Sequence, residues 1–288
     1  MKVLLFFLAI CCNALAAPAV TDDYGNPVTL ARPAQRIVSL SPHLTELLYA
    51  AGAGAHVVGA VEYSDYPPEA RRLPRVGSDF GIDLEHVLAL RPDLVVAWPN
   101  ASSVKAVDRI ASLGVPVFRS EPRELDDIPR TLERLGALTG EENAAAKAAA
   151  DFRGRLRTLQ ARYQGRASVR VFYQVWDRPI ITVNGQHLIS KVIRLCGGEN
   201  VFAGLPVIAP EINRESVLQA DPDAIIASGA ESDRPAWLDA WKAFPLRAAA
   251  RGQLYGIPRD LIQRPTPRVL EGAERMCRIL DAVRAARS

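Results

Sequence analysis

A short segment that occurs twice constrains the fold of this 288-residue chain more than any other feature. Residues 83–97 and 213–227 carry Glu, Val, Leu, Pro, Asp and Ala at matching positions, and each pairs a helix pattern with an apolar strand pattern. A weaker match, in the same order along the chain, relates the segment that begins at His43 to the one that begins at His187. The repeat predicts two similar lobes with a cleft between them, where α/β proteins commonly bind ligands.

Short apolar runs alternate with helical patterns along most of the chain, which indicates mostly parallel sheets covered by helices on both faces. The expected class is α/β, with two Rossmann-like lobes joined by one long rigid helix. We predict an N-terminal lobe over residues 17–140 that opens with a hairpin at 21–28, a connecting helix over 141–165 and a C-terminal lobe over 166–288. The predicted strands are 37–40, 57–61, 94–97, 115–118, 169–173, 224–227 and 254–257. The other predicted helices are 44–51, one that begins near 84, 103–113, 188–195 and 269–286.

The N-terminus is typical of a secretory signal peptide, because a basic start precedes a short apolar run and a small-residue site. We expect residues 1–16 to be cleaved after Ala16, which places the mature protein in the periplasm. A lipoprotein would use Cys11, but the bulky Ile10 precedes it. The exported chain then keeps Cys196 and Cys277, which in an oxidising compartment predict one disulfide, with two separate buried cysteines as the alternative.

Several function classes lack their signatures. The sequence contains no nucleophile elbow, phosphate loop, dinucleotide fingerprint or zinc-protease motif, so an α/β hydrolase or another enzyme is the weaker interpretation. The four histidines are scattered and predict no metal site, and the formal net charge of +3 gives no footprint for nucleic acid. We therefore expect a binding protein with no cofactor of its own.

Aromatic side chains follow three predicted strands at their carboxyl ends. Tyr63, Trp98 and Trp176 occupy these positions, and Asp260 and Arg264 follow a fourth strand in a Pro-rich loop. The carboxyl ends of parallel strands form the mouth of a sheet, so these side chains are candidates for ligand contact. A core role is the alternative for each aromatic residue, since aromatic rings bury large areas.

Longer motifs carry a family resemblance over essentially the whole mature chain. Residues 36–47, 63–68, 83–98, 195–200 and 260–268 resemble the class III periplasmic binding proteins for iron complexes and cobalamin, and most of all the cobalamin-binding members. The resemblance implies the periplasmic component of an ABC importer that binds cobalamin or a related corrinoid. Trp176 is a candidate contact from its place after a strand. The resemblance implies ligand contacts at these further residues: Tyr63, Trp98, Ser41, Pro42, Asp260, Leu261, Ile262, Gln263 and Arg264.

Two departures from that pattern leave the ligand open. The best-known member of the family carries a cleft tryptophan where this chain has the segment 78–80, and a second one where this chain has Ala209 and Pro210. Haem or a ferric siderophore is therefore the alternative ligand, with Tyr63 or His43 available to iron and Arg264 to a siderophore.

The resemblance also implies a membrane partner. Glu85 and Glu215 occupy matching places in the repeat, each in the first turn of a predicted helix. Helix-start stabilisation by the helix dipole accounts for either one alone. The family implies that the pair docks onto the permease dimer in the inner membrane, while the binding protein itself is a monomer.

Overall fold

The computed structural model describes residues 17–78, 81–100, 102–229 and 234–287. The predicted signal peptide lies outside these residues, as do Asp79 and Phe80 from the first departure. No helix among the described residues is long and apolar enough to cross a membrane.

The first lobe is built on a four-stranded parallel sheet with the strand order β4-β3-β7-β8. An antiparallel hairpin of β1 and β2 precedes it, as predicted. The strands are β1 (Ala19–Thr21), β2 (Pro27–Thr29), β3 (Ile37–Ser39), β4 (Val57–Ala60), β5 (Gly77–Ser78), β6 (Gly81–Ile82), β7 (Leu94–Ala97) and β8 (Val117–Arg119). The helices are α1 (Pro42–Ala50), α2 (Leu84–Ala89) and α3 (Val104–Ser112), with short 3-10 helices at Ala53–His56 and Pro68–Arg72.

The second lobe repeats that topology in a parallel sheet with the strand order β11-β9-β13-β14. Its strands are β9 (Val169–Gln174), β10 (Ile180–Ile181), β11 (Gly198–Asn200), β12 (Glu211–Ile212), β13 (Ala224–Gly229) and β14 (Leu254–Pro258). Its helices are α6 (Leu188–Leu195), α7 (Arg214–Ala220), α8 (Arg247–Ala250), α9 (Arg259–Ile262) and α10 (Val269–Ala285), with a 3-10 helix at Ala236–Ala243.

The sequence repeat corresponds to a structural one. In each lobe the repeated segment forms a short helix, α2 or α7, that leads directly into a central strand, β7 or β13. The two helices begin alike, because the side chain of Asp83 accepts a hydrogen bond from His86 N and that of Asn213 accepts one from Ser216 N, both at 2.9 Å. Such caps satisfy backbone N–H groups at a helix start. The two-lobed α/β prediction is confirmed.

Two helices in the middle of the chain, α4 (Asp127–Thr139) and α5 (Glu142–Tyr163), connect the sheets. The 22 residues of α5 extend over about 33 Å. One face of α5 is buried in a core that continues through both lobes, and α5 packs against α1 and α4 on one side and α6 and α10 on the other. At the α1 contact, a Cβ on Gly52 would lie 2.7 Å from Ala144 Cβ, so only glycine fits there.

The predicted disulfide is present between Cys196 and Cys277, which lie 81 residues apart in sequence. Both residues are fully buried, and the bond fastens the end of α6 to the middle of the closing helix α10. On the chain-entropy model, closing a loop of this length stabilises the folded chain by about 4 to 5 kcal/mol. The alternative of two separate thiols is wrong.

The structure also contains elements that the sequence patterns did not predict. The edge strand β11 and the two-residue pairs β5–β6 and β10–β12 are additional, and the last two are antiparallel. The segment from Asp260 is not wholly a loop, because one helical turn, α9, begins at Arg259.

Candidate ligand-binding cleft

The carboxyl ends of the two sheets meet across a seam between the lobes. The segment after β14 in the second lobe reaches α1 and the segment after β4 in the first lobe, through side-chain contacts of Arg264 and Arg268. Because every strand of both sheets is parallel to its neighbours, the segments after β4, β7, β9 and β14 all leave from the facing ends. The predicted ligand-contacting aromatics follow three of these strands.

All three aromatics are exposed, which excludes a core role for them. The exposed fractions are 63% for Tyr63, 40% for Trp98 and 59% for Trp176. By contrast, Trp241 is buried, and its indole N–H donates a hydrogen bond to the side chain of Gln174 at 2.7 Å. Rings left in water at the end of a sheet are available to stack on a large flat ligand.

Tyr63 adopts an unusual backbone conformation with a φ of +62°. This left-handed region is unfavourable for residues other than glycine and persists where surrounding contacts hold it. One such contact comes from the other lobe, where Nη2 of Arg264 donates to the Tyr63 carbonyl oxygen at 3.2 Å. The side chain of the next residue, Ser64, accepts a hydrogen bond from Thr45 of α1 at 3.2 Å.

Trp98 rests on the floor of the cleft against His43, with their ring centroids 5.7 Å apart in an edge arrangement. His43 is buried, and its Nδ1 shares a hydrogen bond of 2.7 Å with Ser41 Oγ. Burial, with the added charge of Arg264, lowers the pKa of His43 to about 3. The imidazole is therefore neutral, and its buried Nε2 has no hydrogen-bond partner among the described residues. Ser41 is buried at the N-cap of α1, and Pro42 is partly exposed at the first helical position.

Trp176 is held by contacts within its own lobe, the second one. Its indole N–H donates to the carbonyl oxygen of Arg178 at 3.1 Å, and a backbone bridge joins it to Ile181. The nearby segment after Phe202 exposes Val207 and Ile208, and Pro210 O accepts a hydrogen bond from Thr182 N at 3.1 Å.

The segment from Asp260 to Arg264 divides into an inner and an outer part. Ile262 is fully buried and Leu261 nearly so, which places both side chains in the core beneath the cleft and not on its surface. Gln263 donates to Ser228 Oγ at 2.8 Å. Asp260 lies 3.3 Å from Arg264, so the two predicted polar contacts also pair with each other.

Arg264 connects the two lobes at the cleft. It bonds Glu46 at 2.8 Å and Asp65 at 3.1 Å, both in the first lobe. Burial alone would lower the pKa of Arg264, but the hydrogen bond that it donates to Glu46 and the charges of its acidic neighbours raise the pKa above the usual value. The guanidinium stays charged, as a contact to ligand amides or carboxylates requires.

Besides Asp65, three further residues of this seam were not among the predicted contacts. Glu46 accepts hydrogen bonds from Arg268 at 2.7 and 2.9 Å, and the guanidinium of Arg268 lies 3.7 Å from the centroid of the Tyr66 ring. One signal could have found Glu46: it is the single charged residue in the mostly apolar helix α1. Among the described residues, no group of His, Cys, Asp and Glu side chains could hold a metal ion.

Comparisons with known proteins agree with this architecture. Residues 37–261 match the model of a family described as periplasmic binding protein. The chain is 39% identical over 256 residues to the vitamin B12-binding protein of Vibrio parahaemolyticus, covering 88% of this chain and 92% of that protein. It is 38% identical over 253 residues to the vitamin B12-binding protein of Yersinia pestis, covering 88% and 89%.

Solved structures show the same fold. The periplasmic vitamin B12-binding protein of Vibrio cholerae superimposes with a TM-score of 0.81 at 39% identity, covering 88% of this chain and 98% of that one. A periplasmic haem-binding protein from Roseiflexus gives a TM-score of 0.73 at 24% identity, covering 86% and 99%, and shares the fold alone. This chain belongs to the periplasmic binding protein family.

Proposed function

We propose that this protein is the periplasmic substrate-binding component of an ABC importer and that it captures cobalamin or a related corrinoid. The observation that carries the proposal is the set of exposed aromatics, Tyr63, Trp98 and Trp176, beside a charged Arg264 at the facing ends of two sheets. The identity to vitamin B12-binding proteins over most of the chain supports the ligand class.

A corrinoid suits this surface chemically. Its flat ring offers faces to Tyr63, Trp98 and Trp176, and its rim of amides offers hydrogen-bond partners to Asp260 and Arg264. The cleft binds and releases, and catalyses nothing. Haem or a ferric siderophore is the second candidate, favoured by the fold shared with a haem-binding protein.

The ligand is tested by calorimetry with cyanocobalamin, and by visible spectra after incubation with hydroxocobalamin, cyanocobalamin and hemin in turn. We expect corrinoid binding, and a loss of about 1 kcal/mol or more for each of Tyr63→Ala and Trp98→Ala, since each removes one stacking ring. Leu113→Ala is the control, because it trims an exposed apolar side chain at the opposite end of the first sheet. Binding of hemin alone, or unchanged corrinoid affinity in both variants, would contradict the proposal.

We further propose export through the signal peptide at residues 1–16, and delivery as a monomer to a permease dimer through Glu85 and Glu215. Both glutamates are exposed in the first turns of α2 and α7. These helices run back from the carboxyl ends of the strands, so their starts lie at the cleft side of each lobe. One carboxylate on each lobe is suited to a two-fold partner that carries cations, where charge pairs set orientation and encounter rate.

The docking role is tested in cells that lack the wild-type protein. We expect Glu85→Arg combined with Glu215→Arg to abolish corrinoid uptake while changing the affinity in solution less than twofold. Glu142→Arg combined with Glu199→Arg is the matched control, since both are exposed glutamates away from these helix starts. Normal uptake by the first double variant would show that the two glutamates do not dock.

A further inference from the structure

A carboxylate of the first lobe is buried against two arginines of the second. The side chain of Glu46 in α1 is only 2% exposed. Its Oε1 accepts from Arg264 at 2.8 Å and from Arg268 at 2.7 Å, and its Oε2 accepts from Arg268 at 2.9 Å. A buried carboxylate with two cationic donors is well compensated, whereas the same carboxylate without them would be a buried unpaired charge.

The same two arginines hold the segment that carries Tyr63. Beyond Glu46, Arg264 bonds the Tyr63 carbonyl oxygen at 3.2 Å and the Asp65 carboxylate at 3.1 Å. Arg268 stacks over the ring of Tyr66. Both ends of the Tyr63–Tyr66 segment are therefore fixed from the opposite lobe, and the strained backbone of Tyr63 is among the groups held.

A second inter-lobe ion pair provides an internal comparison. Lys191 of α6 pairs with Glu124, which lies between β8 and α4 in the first lobe. The repeat makes α6 the counterpart of α1, and the segment after β8 the counterpart of the segment after β14. This second pair has its charges reversed and is more open, with Glu124 55% exposed. Within the described part of the chain, neither side chain hydrogen-bonds one of the cleft aromatics.

We propose that Glu46 is a positioning residue for ligand binding. It fixes the guanidinium of Arg264, and through Arg264 it fixes the backbone of Tyr63, so that one polar and one aromatic contact are set before the ligand arrives. Preorganised contacts raise affinity because their ordering cost is met in the free protein. This inference rests on the proposed corrinoid function and names a residue that does not itself reach the ligand.

The test is a double-mutant cycle measured by calorimetry with cyanocobalamin, on Glu46→Gln, Arg264→Ala and the combined variant. Gln at position 46 loses the charge and one of the two acceptor oxygens. We expect Glu46→Gln to weaken binding at least tenfold, and the combined variant to bind as Arg264→Ala does, within about twofold. Such non-additivity identifies a residue that acts through Arg264, which general destabilisation would not produce.

Glu124→Gln is the matched control, because it opens the other inter-lobe pair, and it should change the affinity less than twofold. Arg268→Lys, which keeps the charge and loses the paired hydrogen bonds to Glu46, covers the case in which Glu46→Gln does not fold, and it should weaken binding about threefold or more. The proposal is overturned if the wild type binds and Glu46→Gln, or Arg268→Lys in its place, binds equally well, or if the effects of Glu46→Gln and Arg264→Ala multiply. A wild type that binds no corrinoid would instead refute the proposed function.

Discussion

The helices α1 and α6 occupy the same place in the two lobes, yet different interactions secure them. Each begins near a histidine, His43 or His187, and each carries one side of an inter-lobe ion pair. The C-terminal end of α1, at Ala51 and Gly52, packs closely against α5. The C-terminal end of α6, at Cys196, is instead bonded to α10 by the disulfide. The repeated topology requires that both helices be fixed to the rest of their lobes. It does not determine whether packing, an ion pair or a disulfide fixes them.

The inter-lobe pairs differ in the same way. The charged residue of α1 is Glu46, which is buried and pairs with two arginines. The charged residue of α6 is Lys191, which pairs with the half-exposed Glu124. Exposed pairs contribute about 0 to 1 kcal/mol, whereas breaking a buried pair costs about 3 to 5 kcal/mol. The difference indicates that one side of the seam between the lobes is fixed and the other is more easily opened.

Among the differences between α1 and α6, loss of the disulfide should have the largest effect on stability. Replacing Cys196 and Cys277 by alanine should lower the free energy of unfolding by about 4 to 5 kcal/mol, because the unfolded chain regains the entropy of an 81-residue loop. Urea denaturation, with the wild type in the presence and absence of reductant, measures this value. Alkylation followed by intact-mass analysis should find no free thiol in the unreduced wild type.

Hydrogen exchange should show that the loss of stability in the alanine variant is confined to the second lobe. Amides of α6 and α10 should lose protection in the alanine variant, while those of α1 keep theirs, since α1 is held by packing against α5. Two alkylated cysteines in the unreduced wild type would contradict the bond itself. Equal loss of protection in α1 and α6 would show that the two lobes unfold as one unit.

Much of this fold was predictable because its signals are local. Mostly apolar runs of four or five residues predicted the long strands, and the repeated segment identified its own counterpart. The strand β11 escaped because Gly-Glu-Asn has low strand propensity, and it forms only because β9 offers it a parallel edge. The two-residue strands of β5–β6 and β10–β12 are too short for any periodicity to show.

The cleft was predictable only in part, for a related reason. Strand ends identified Tyr63, Trp98 and Trp176, because the end of a parallel strand is a place that the sequence itself defines. The partnership of Glu46 with Arg264 joins residues 218 positions apart, and no pattern in either segment points to the other. Ile262 lies two positions before Arg264 in sequence but in the core, since Ile262 ends the helical turn α9 whereas Arg264 follows it.

The smaller difference between α1 and α6 concerns the histidines at their starts. Burial lowers the pKa of both, to about 3 for His43, where the charge of Arg264 adds to the effect, and to about 4 for His187. The unfolded chain takes up these protons near pH 6.5, so between that pH and the folded values the unfolded state binds more protons. The stability contributed by each neutral histidine is therefore present near pH 7 and is lost as the pH falls.

We expect His43 and His187 each to account for about 2 kcal/mol of the stability lost between pH 7 and pH 5, because both stay neutral in the folded state over this range while the unfolded chain takes up their protons. Denaturation of the wild type, His43→Gln and His187→Asn at both pH values measures these shares, with each variant compared with itself at pH 7. Asn is chosen at position 187 because His187 Nδ1 accepts the hydrogen bond of Ile189 N at 3.1 Å, and an Asn side chain can accept in its place. The pH dependence should flatten by a similar amount in His43→Gln and in His187→Asn, and an unchanged pH dependence in either variant would show that its histidine does not resist protonation in the folded state.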